Sequence, residues 1–301
     1  MLRSLIVLSF VTVTAACSTI PMVDAPSKNK SSRIHFLVLH FTSEHFAESM
    51  RLLTGQADSP VSVHYVVPEP GDETYPDQSL RVYRLVPEPL RARHAGVSHW
   101  AGAQSLNDTS IGIEIVNRST CVNEDPDAEI QAPEQQICNF LAFPDEQVDL
   151  VIRLAKDILA RNPDISPVDV IGHGDIAPRR RLDPGPLFPW KRLYDNGIGA
   201  WYDEETVAKY QRQFEADPPN TGLVQRALRA YGYNVDETGE NDAQTRFSVR
   251  AFQMHFRPGD YSGQADVETA SILFSLLEKY RSSELRRVLQ IVTEPASDHL
   301  D

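Results

Sequence analysis

The chain has 301 residues, a length that favours one large domain together with a smaller module. Hydrophobic residues make up 41% of it and charged residues 24%, as in ordinary globular proteins, and 15 glycines and 21 prolines exclude a collagen-like or low-complexity chain. Its 29 Lys and Arg residues against 42 Asp and Glu residues give a formal net charge of −13. We therefore expect no nucleic-acid partner, because the chain as a whole repels phosphates.

The first sixteen residues have the pattern of an export signal. Arg3 precedes an apolar run at residues 5–11, and the small residues 14–16 stand directly before Cys17. The apolar run is too short to span a bilayer. A cysteine in this position resembles the lipobox of bacterial lipoproteins, which implies lipidation of Cys17 and, with Ser18 next to it, an outer-membrane lipoprotein facing the periplasm. A plain secretory signal cleaved nearby is the alternative reading.

Predicted strands and helices alternate through the middle of the chain. After a signal peptide (residues 1–16) and a polar tether (17–33), apolar runs predict strands at 36–41, 61–67, 80–85, 111–116 and 168–172. The clearest amphipathic helix begins at Asp145 and ends at Asn162. This alternation predicts an α/β domain over residues 34–205, with a mixed sheet flanked by helices.

The character of the sequence changes after Trp201. Residues 204–215 form a polar stretch of helical character, and we predict a linker at residues 206–219, because the stretch is polar and leads into Pro218 and Pro219. Three helical segments, at 223–228, 242–256 and 267–280, then predict a small three-helix domain over residues 220–284, followed by a tail at 285–301.

Two of the three cysteines lie in the α/β domain. Cys121 and Cys138 lack the CxxC spacing of a structural zinc site. Because the periplasm is oxidising, we expect them to form a disulfide, although the sequence is equally compatible with two thiols too far apart to be joined.

Candidate catalytic residues follow two of the predicted strands. His40 lies near the carboxyl end of the first strand and His173 directly follows the last, and such strand ends are where sites assemble in α/β sheets. With Asp183, ten residues beyond His173, they match the three-ligand plan of a catalytic zinc, and Glu114 on its own strand could serve as a proton acceptor. The alternative is that both histidines have no catalytic role and are hydrogen-bonded core or surface residues.

Several runs of residues carry a resemblance to a known family. They are LHFT at 39–42, SVHY at 62–65, HAGVS at 94–98, GIE at 112–114, GHGDIAP at 172–178 and DPGP at 183–186. In order and spacing they resemble the type 2 N-acetylmuramoyl-L-alanine amidases, and LFPW at 187–190 with GIGAW at 197–201 resembles the AmiD branch of that family. The second module is similar to the peptidoglycan-binding type 1 domain. The resemblance implies peptidoglycan and muropeptides as partners and substrates.

The resemblance also implies roles for individual residues. His40, His173 and Asp183 would bind one Zn²⁺ per chain, and Glu114 would be the catalytic acid and base. Arg181 stands where the family usually has a lysine that stabilises the oxyanion, and Arg93 stands where many members have a tryptophan. The reaction would be hydrolysis of the amide between N-acetylmuramic acid and L-Ala of the stem peptide.

Other prominent residues receive structural interpretations. We expect His64 and His94 to be structural or to line the substrate groove, Trp190 and Trp201 to be core residues, and Arg180 to be part of a solvated charge run. Two rival functions remain at this level, a non-catalytic peptidoglycan receptor and a zinc peptidase that cleaves within the stem peptide. We make no prediction of the oligomeric state.

Overall fold

A computed structural model describes residues 20, 22–58, 60–123 and 132–293. By their contacts these residues divide into two compact units, one within Met1–Ser31 and the other within Ser32–Asp301. The predicted signal peptide and Cys17 lie outside the described residues, whereas residues 22–31 of the predicted tether are exposed and form no helix or strand. No helix within the described ranges is long and apolar enough to cross a membrane.

The strands and helices of the larger unit follow one another in mixed order. Its described strands are β1 (Phe36–Phe41), β2 (Tyr65–Val67), β3 (Tyr83–Arg84), β4 (His99–Trp100), β5 (Ala103–Gln104), β6 (Ser110–Ile115), β7 (Thr120–Asn123), β8 (Gln136–Asn139) and β9 (Val170–Gly172). Its described α-helices are α1 (Phe46–Leu53), α2 (Asp145–Arg161), α3 (His173–Ile176), α4 (Trp190–Asp195), α5 (Glu204–Ala216), α6 (Thr221–Tyr231), α7 (Ala243–Phe256), α8 (Val267–Tyr280) and α9 (Ser282–Thr293).

A five-stranded mixed sheet organises the first part of the larger unit, in the order β3-β2-β6-β1-β9. Strands β2, β6, β1 and β9 are parallel, and only the edge strand β3 is antiparallel. The central strand β1 is buried on both faces, as expected of a continuous apolar run. Helix α2 contributes Val151, Ala155 and Ile158 to the core that covers the sheet. The predicted mixed α/β sheet with flanking helices is confirmed.

Two predicted strands are shorter in the structure than in the sequence pattern. The run at 61–67 is strand only from Tyr65, because Ser62 instead donates its backbone N–H to the carbonyl of Arg93. The run at 80–85 is reduced to Tyr83–Arg84.

The C-terminal helices begin at side-chain caps. Asn220, Asp242 and Asp266 each accept a hydrogen bond from a backbone N–H of the first turn of α6, α7 and α8, respectively. A further helix, α9, occupies most of the predicted tail up to residue 293. The three predicted helical segments are thus present, with an additional helix after them.

The segment predicted as a linker, 206–219, is a packed helix over most of its length. Helix α5 buries Val207, Tyr210 and Phe214, and the last two contact the ring of Phe274 on α8. The helical character expected at 204–215 is present, but the segment is packed, because three apolar side chains spaced three and four residues apart form a buried face in an otherwise polar stretch.

Buried contacts join the C-terminal helices to the sheet. Asp175 on α3 accepts hydrogen bonds from the Tyr233 hydroxyl (2.6 Å) and from Nδ1 of His255 on α7 (2.8 Å). Gly232, with φ of 154°, lies so close to Trp100 that a Cβ atom would stand 2.7 Å from the indole. The sheet and the C-terminal helices therefore share one core.

Tyr233→Phe is expected to lower the free energy of unfolding by about 1.5–3 kcal/mol, the usual range for a hydrogen bond to a charged group. The variant removes one oxygen atom and leaves the ring in its buried position, so Asp175 loses a donor that water cannot replace. Urea unfolding of both proteins measures the difference. Tyr210→Phe is the matched control, because Glu278 is reached by solvent and keeps its contact with Lys209. Equal losses in the two variants would contradict the prediction.

A disulfide closes the hairpin of β7 and β8. Cys121 and Cys138 are register partners in the two strands and are joined by an S–S bond. Arg250 of α7 donates a hydrogen bond to the carbonyl of Pro133, at the start of the chain segment that leads into β8. The hairpin is therefore held by a covalent bond and by contact with the helical module.

Candidate active site

The parallel strands carry the candidate residues to one edge of the sheet. His40 on β1 and Glu114 on β6 are register partners in adjacent strands. His173 begins α3 directly after β9, which pairs with the other side of β1. Because the carboxyl ends of parallel strands meet at the same edge, three distant parts of the sequence meet there.

Three potential ligand atoms form a nearly equilateral triangle. Nδ1 of His40 lies 3.0 Å from Nδ1 of His173 and 3.0 Å from Oδ2 of Asp183, and the remaining side is 3.1 Å. All three residues are buried, and within the described ranges they are the group of histidine, cysteine or acidic side chains able to hold a metal. An ion about 2 Å from each atom can contact all three, which is the spacing zinc requires.

Hydrogen bonds fix the orientation of the third ligand and of one histidine. The carbonyl of Asp183 accepts the backbone N–H of Gly174, which anchors the loop that brings Asp183 back to His173. Nε2 of His173 lies 3.1 Å from the carbonyl of Ala95. A carbonyl only accepts, so Nε2 carries the proton and the lone pair of Nδ1 points to the triangle. This donor set fits zinc in number, chemistry and tautomer.

The electrostatics of the triangle favour the forms that bind metal. Burial, reinforced by His173, lowers the pKa of His40 to about 4, so its ring is neutral at pH 7. Burial opposes ionisation of Asp183, but the neighbouring His173 and His40 hold the pKa of this carboxyl well below its usual range. At neutral pH the site therefore presents the neutral imidazole of His40 and the carboxylate of Asp183.

Glu114 lies beside the triangle without a partner for one oxygen. Its Oε2 is buried and has no hydrogen-bond partner among the described residues. Burial and the nearby Asp183 carboxylate raise the pKa of Glu114 well above its ordinary value, and Arg181 opposes this effect. A carboxylate that is costly to keep ionised and has a free oxygen is suited to take up a proton.

A cavity of about 280 Å³ opens onto these groups. Glu114, His173 and Asp183 line it, and the disulfide hairpin contributes Cys121 and Gln136 to its wall. Arg181 is exposed and lines the same cavity, so the structure brings it together with the candidate ligands and Glu114.

Arg93 and Arg180 also line this cavity. The guanidinium of Arg180 donates to the carbonyls of Ala95 and Val97, each at 2.8 Å. Arg180 is exposed, as expected of a solvated charge run, and these two carbonyls also hold its guanidinium at the cavity wall.

The other prominent aromatic residues are structural. Trp100, Trp190 and Trp201 are all buried, and His255 stacks on Trp190 with ring centres 3.7 Å apart. None of the three indoles lines the cavity that contains Glu114. Sequence reasoning did not foresee that His94 contacts a candidate ligand: its Nδ1 lies 2.9 Å from Nε2 of His40. The only signal in the sequence is the HAGVS run at 94–98.

Two histidines and an aspartate beside a half-buried glutamate, at the edge of a mixed sheet, form the arrangement of a metal-dependent hydrolase. The family model for N-acetylmuramoyl-L-alanine amidase matches residues 30–186, and that for a peptidoglycan binding domain matches residues 217–273. The chain belongs to the N-acetylmuramoyl-L-alanine amidase family and is an enzyme of that family.

Individual relatives are similar over most of their length. N-acetylmuramoyl-L-alanine amidase AmiD of Escherichia coli is 43% identical over 249 residues, which cover 82% of this chain and 84% of AmiD. AmpDH3 from Pseudomonas aeruginosa, known from a crystal structure, has 44% sequence identity to this chain and a TM-score of 0.77. The match covers 87% of this chain and all of the AmpDH3 chain. E. coli AmiD in complex with the substrate anhydro-N-acetylmuramic acid-L-Ala-D-γ-Glu-L-Lys is 41% identical with a TM-score of 0.70, covering 85% of this chain and 93% of that chain.

Proposed function

We propose that this enzyme is a zinc amidase that hydrolyses the bond between the lactyl group of N-acetylmuramic acid and L-Ala of the stem peptide. The observation that carries the proposal is the triangle of His40, His173 and Asp183 beside the unpartnered carboxyl oxygen of Glu114, next to an open cavity that Glu114, His173 and Asp183 line. When bound, zinc supplies a Lewis acid that polarises the amide carbonyl and lowers the pKa of water.

The chain's own residues supply proton transfer and charge stabilisation. Glu114 accepts a proton from the attacking water and delivers it to the nitrogen of the departing L-Ala, since an amide nitrogen leaves poorly without one. Arg181 faces the same cavity and stabilises negative charge on the carbonyl oxygen. The planar guanidinium offers a fixed charge and several donors in place of a compact ammonium.

We propose muropeptides, including anhydro-muropeptides, as substrates for cell-wall turnover. Similarity to two solved complexes supports this assignment. E. coli AmiD is solved with an anhydro-N-acetylmuramic acid tripeptide, and AmpDH3 is solved with an anhydromuramic pentapeptide. The match of residues 217–273 to a peptidoglycan binding domain supports contact with the wall itself.

We also propose that the protein is an outer-membrane lipoprotein facing the periplasm, anchored through a lipid on Cys17. The signal pattern at residues 1–16 supports this location. The disulfide between Cys121 and Cys138 is compatible with it, because the periplasm is an oxidising compartment.

Mass spectrometry of the products distinguishes the proposed amidase from its two rivals. Incubating an anhydro-muropeptide with the chain from Ser18 is expected to release intact stem peptides that begin with L-Ala, and a chelator is expected to stop the release. A peptidase would leave L-Ala on the sugar, and a receptor would leave the fragment uncut. Either of these results would contradict the proposal.

A further inference from the structure

Nε2 of His40, which points away from the ligand triangle, is the start of a buried chain of hydrogen bonds. It lies 2.9 Å from Nδ1 of His94. Nε2 of His94 lies 3.1 Å from Oγ of Ser110, and that hydroxyl lies 2.6 Å from the carbonyl of Leu106. The chain thus runs from a candidate metal ligand through two side chains to the backbone.

The backbone end of this chain sets the direction of every bond in it. A carbonyl only accepts, so at 2.6 Å the Ser110 hydroxyl donates to Leu106. The Ser110 oxygen then accepts from Nε2–H of His94, which leaves Nδ1 of His94 as an acceptor. Nδ1 of His94 in turn accepts a hydrogen bond from Nε2–H of His40. The lone pair of Nδ1 in His40 is thereby directed to the triangle.

The surroundings of His94 hold its ring in this position. The ring is buried, and Gly112 on β6 leaves room for it, since a Cβ atom there would stand 2.6 Å from the imidazole. Oδ1 of Asn107 accepts the backbone N–H groups of both His94 and Ala95, at 2.9 and 2.8 Å. Ala95 is the residue whose carbonyl orients His173. The dipeptide His94–Ala95, held by Asn107, therefore contacts Nε2 of both histidine ligands, the ring nitrogen that points away from the triangle.

We propose that His94 and Ser110 are positioning residues that fix the tautomer and orientation of His40 and so raise the affinity of the site for zinc. The inference rests on the proposed zinc site and adds two residues to it. Hydrogen-bond partners of metal-bound histidines typically change metal affinity by about 10- to 100-fold when they are removed.

The experiment measures zinc affinity by competition with a chromophoric chelator, using the full chain from Ser18. His94→Leu introduces an apolar side chain of similar size that has no hydrogen-bond acceptor. It is expected to weaken zinc binding at least about 10-fold. His94→Asn can place Oδ1 where Nδ1 accepts and is expected to recover most of the affinity. Ser110→Ala removes a single oxygen atom and is expected to give a smaller loss in the same direction.

His64→Asn is the matched control. His64 is also buried, with its ring centre 5.7 Å from that of His94, but it bonds to the backbone of Gly112 and Leu90 and not to a candidate ligand. It is expected to lower thermal stability and to leave zinc affinity within about twofold of the wild type, because no ligand loses a partner.

The outcomes separate this inference from the function it rests on. If wild-type protein binds no zinc, both the proposed zinc site and the inference fail. If the wild type binds one equivalent but His94→Leu and Ser110→Ala bind it equally well, only the inference fails. It also fails if His64→Asn loses as much affinity as His94→Leu, since the effect is then one of general stability.

Discussion

The Glu114→Gln variant is expected to lose about 10²- to 10⁴-fold in kcat, the usual contribution of a positioned acid and base, and to keep its zinc. Glutamine has nearly the same shape as glutamate but cannot take up and return a proton at pH 7. The substituted oxygen has no hydrogen-bond partner among the described residues, so the change breaks no contact that the structure shows there. Rates on a purified muropeptide and the zinc content of the same preparation are the two measurements.

Glu69→Gln is a matched control for this variant. Glu69 is also a partly buried glutamate whose pKa is raised by burial, but it faces Arg118 and does not line the cavity of Glu114. It is expected to retain the wild-type rate. Glu114→Gln with near-normal kcat would contradict the assigned role, and loss of zinc in that variant would turn the role into one of metal binding.

Asp183→Ala is expected to lose both zinc and activity. The variant removes the only charged ligand of the triangle and leaves His40 and His173, whereas catalytic zinc sites keep three protein ligands. We expect zinc affinity to fall by more than about 100-fold, because even the outer hydrogen-bond partners of ligands are worth up to that factor. Metal analysis after dialysis, together with the rate on a muropeptide, measures the effect.

Asp195→Ala serves as the control for the loss of a carboxylate. Asp195 forms an exposed ion pair with Lys191 on the surface, where such pairs contribute little. It is expected to bind zinc and turn over substrate like the wild type. Full zinc occupancy in Asp183→Ala would contradict the ligand assignment.

Local pattern predicted the sheet and singled out two of the three candidate ligands. The apolar run of β1 and the amphipathic pattern of α2 are local signals, and both elements are present. His40 and His173 could be singled out because they lie at or just beyond strand ends, and parallel strands bring such ends together. The structure brings them together with Asp183, as the motif resemblance implied.

The sequence did not reveal contacts between distant polar residues. Asp175 meets Tyr233 and His255 only after the helical module has packed on the sheet, and no local pattern encodes a contact across 58 or 80 residues. The hydrogen bond between His40 and His94 is hidden for the same reason. The helical stretch at 204–215 was foreseen, but its packing was not, because the buried face of α5 consists of only three side chains.

A titration of metal-free protein with zinc tests the central claim most directly. Release of stem peptide from an anhydro-muropeptide is followed by mass spectrometry as zinc is added in fractions of an equivalent. We expect no release before zinc is added. The initial rate of release then rises linearly with added zinc and reaches a plateau at one zinc per chain. Full release by the metal-free protein, or none at one equivalent or above, would contradict it.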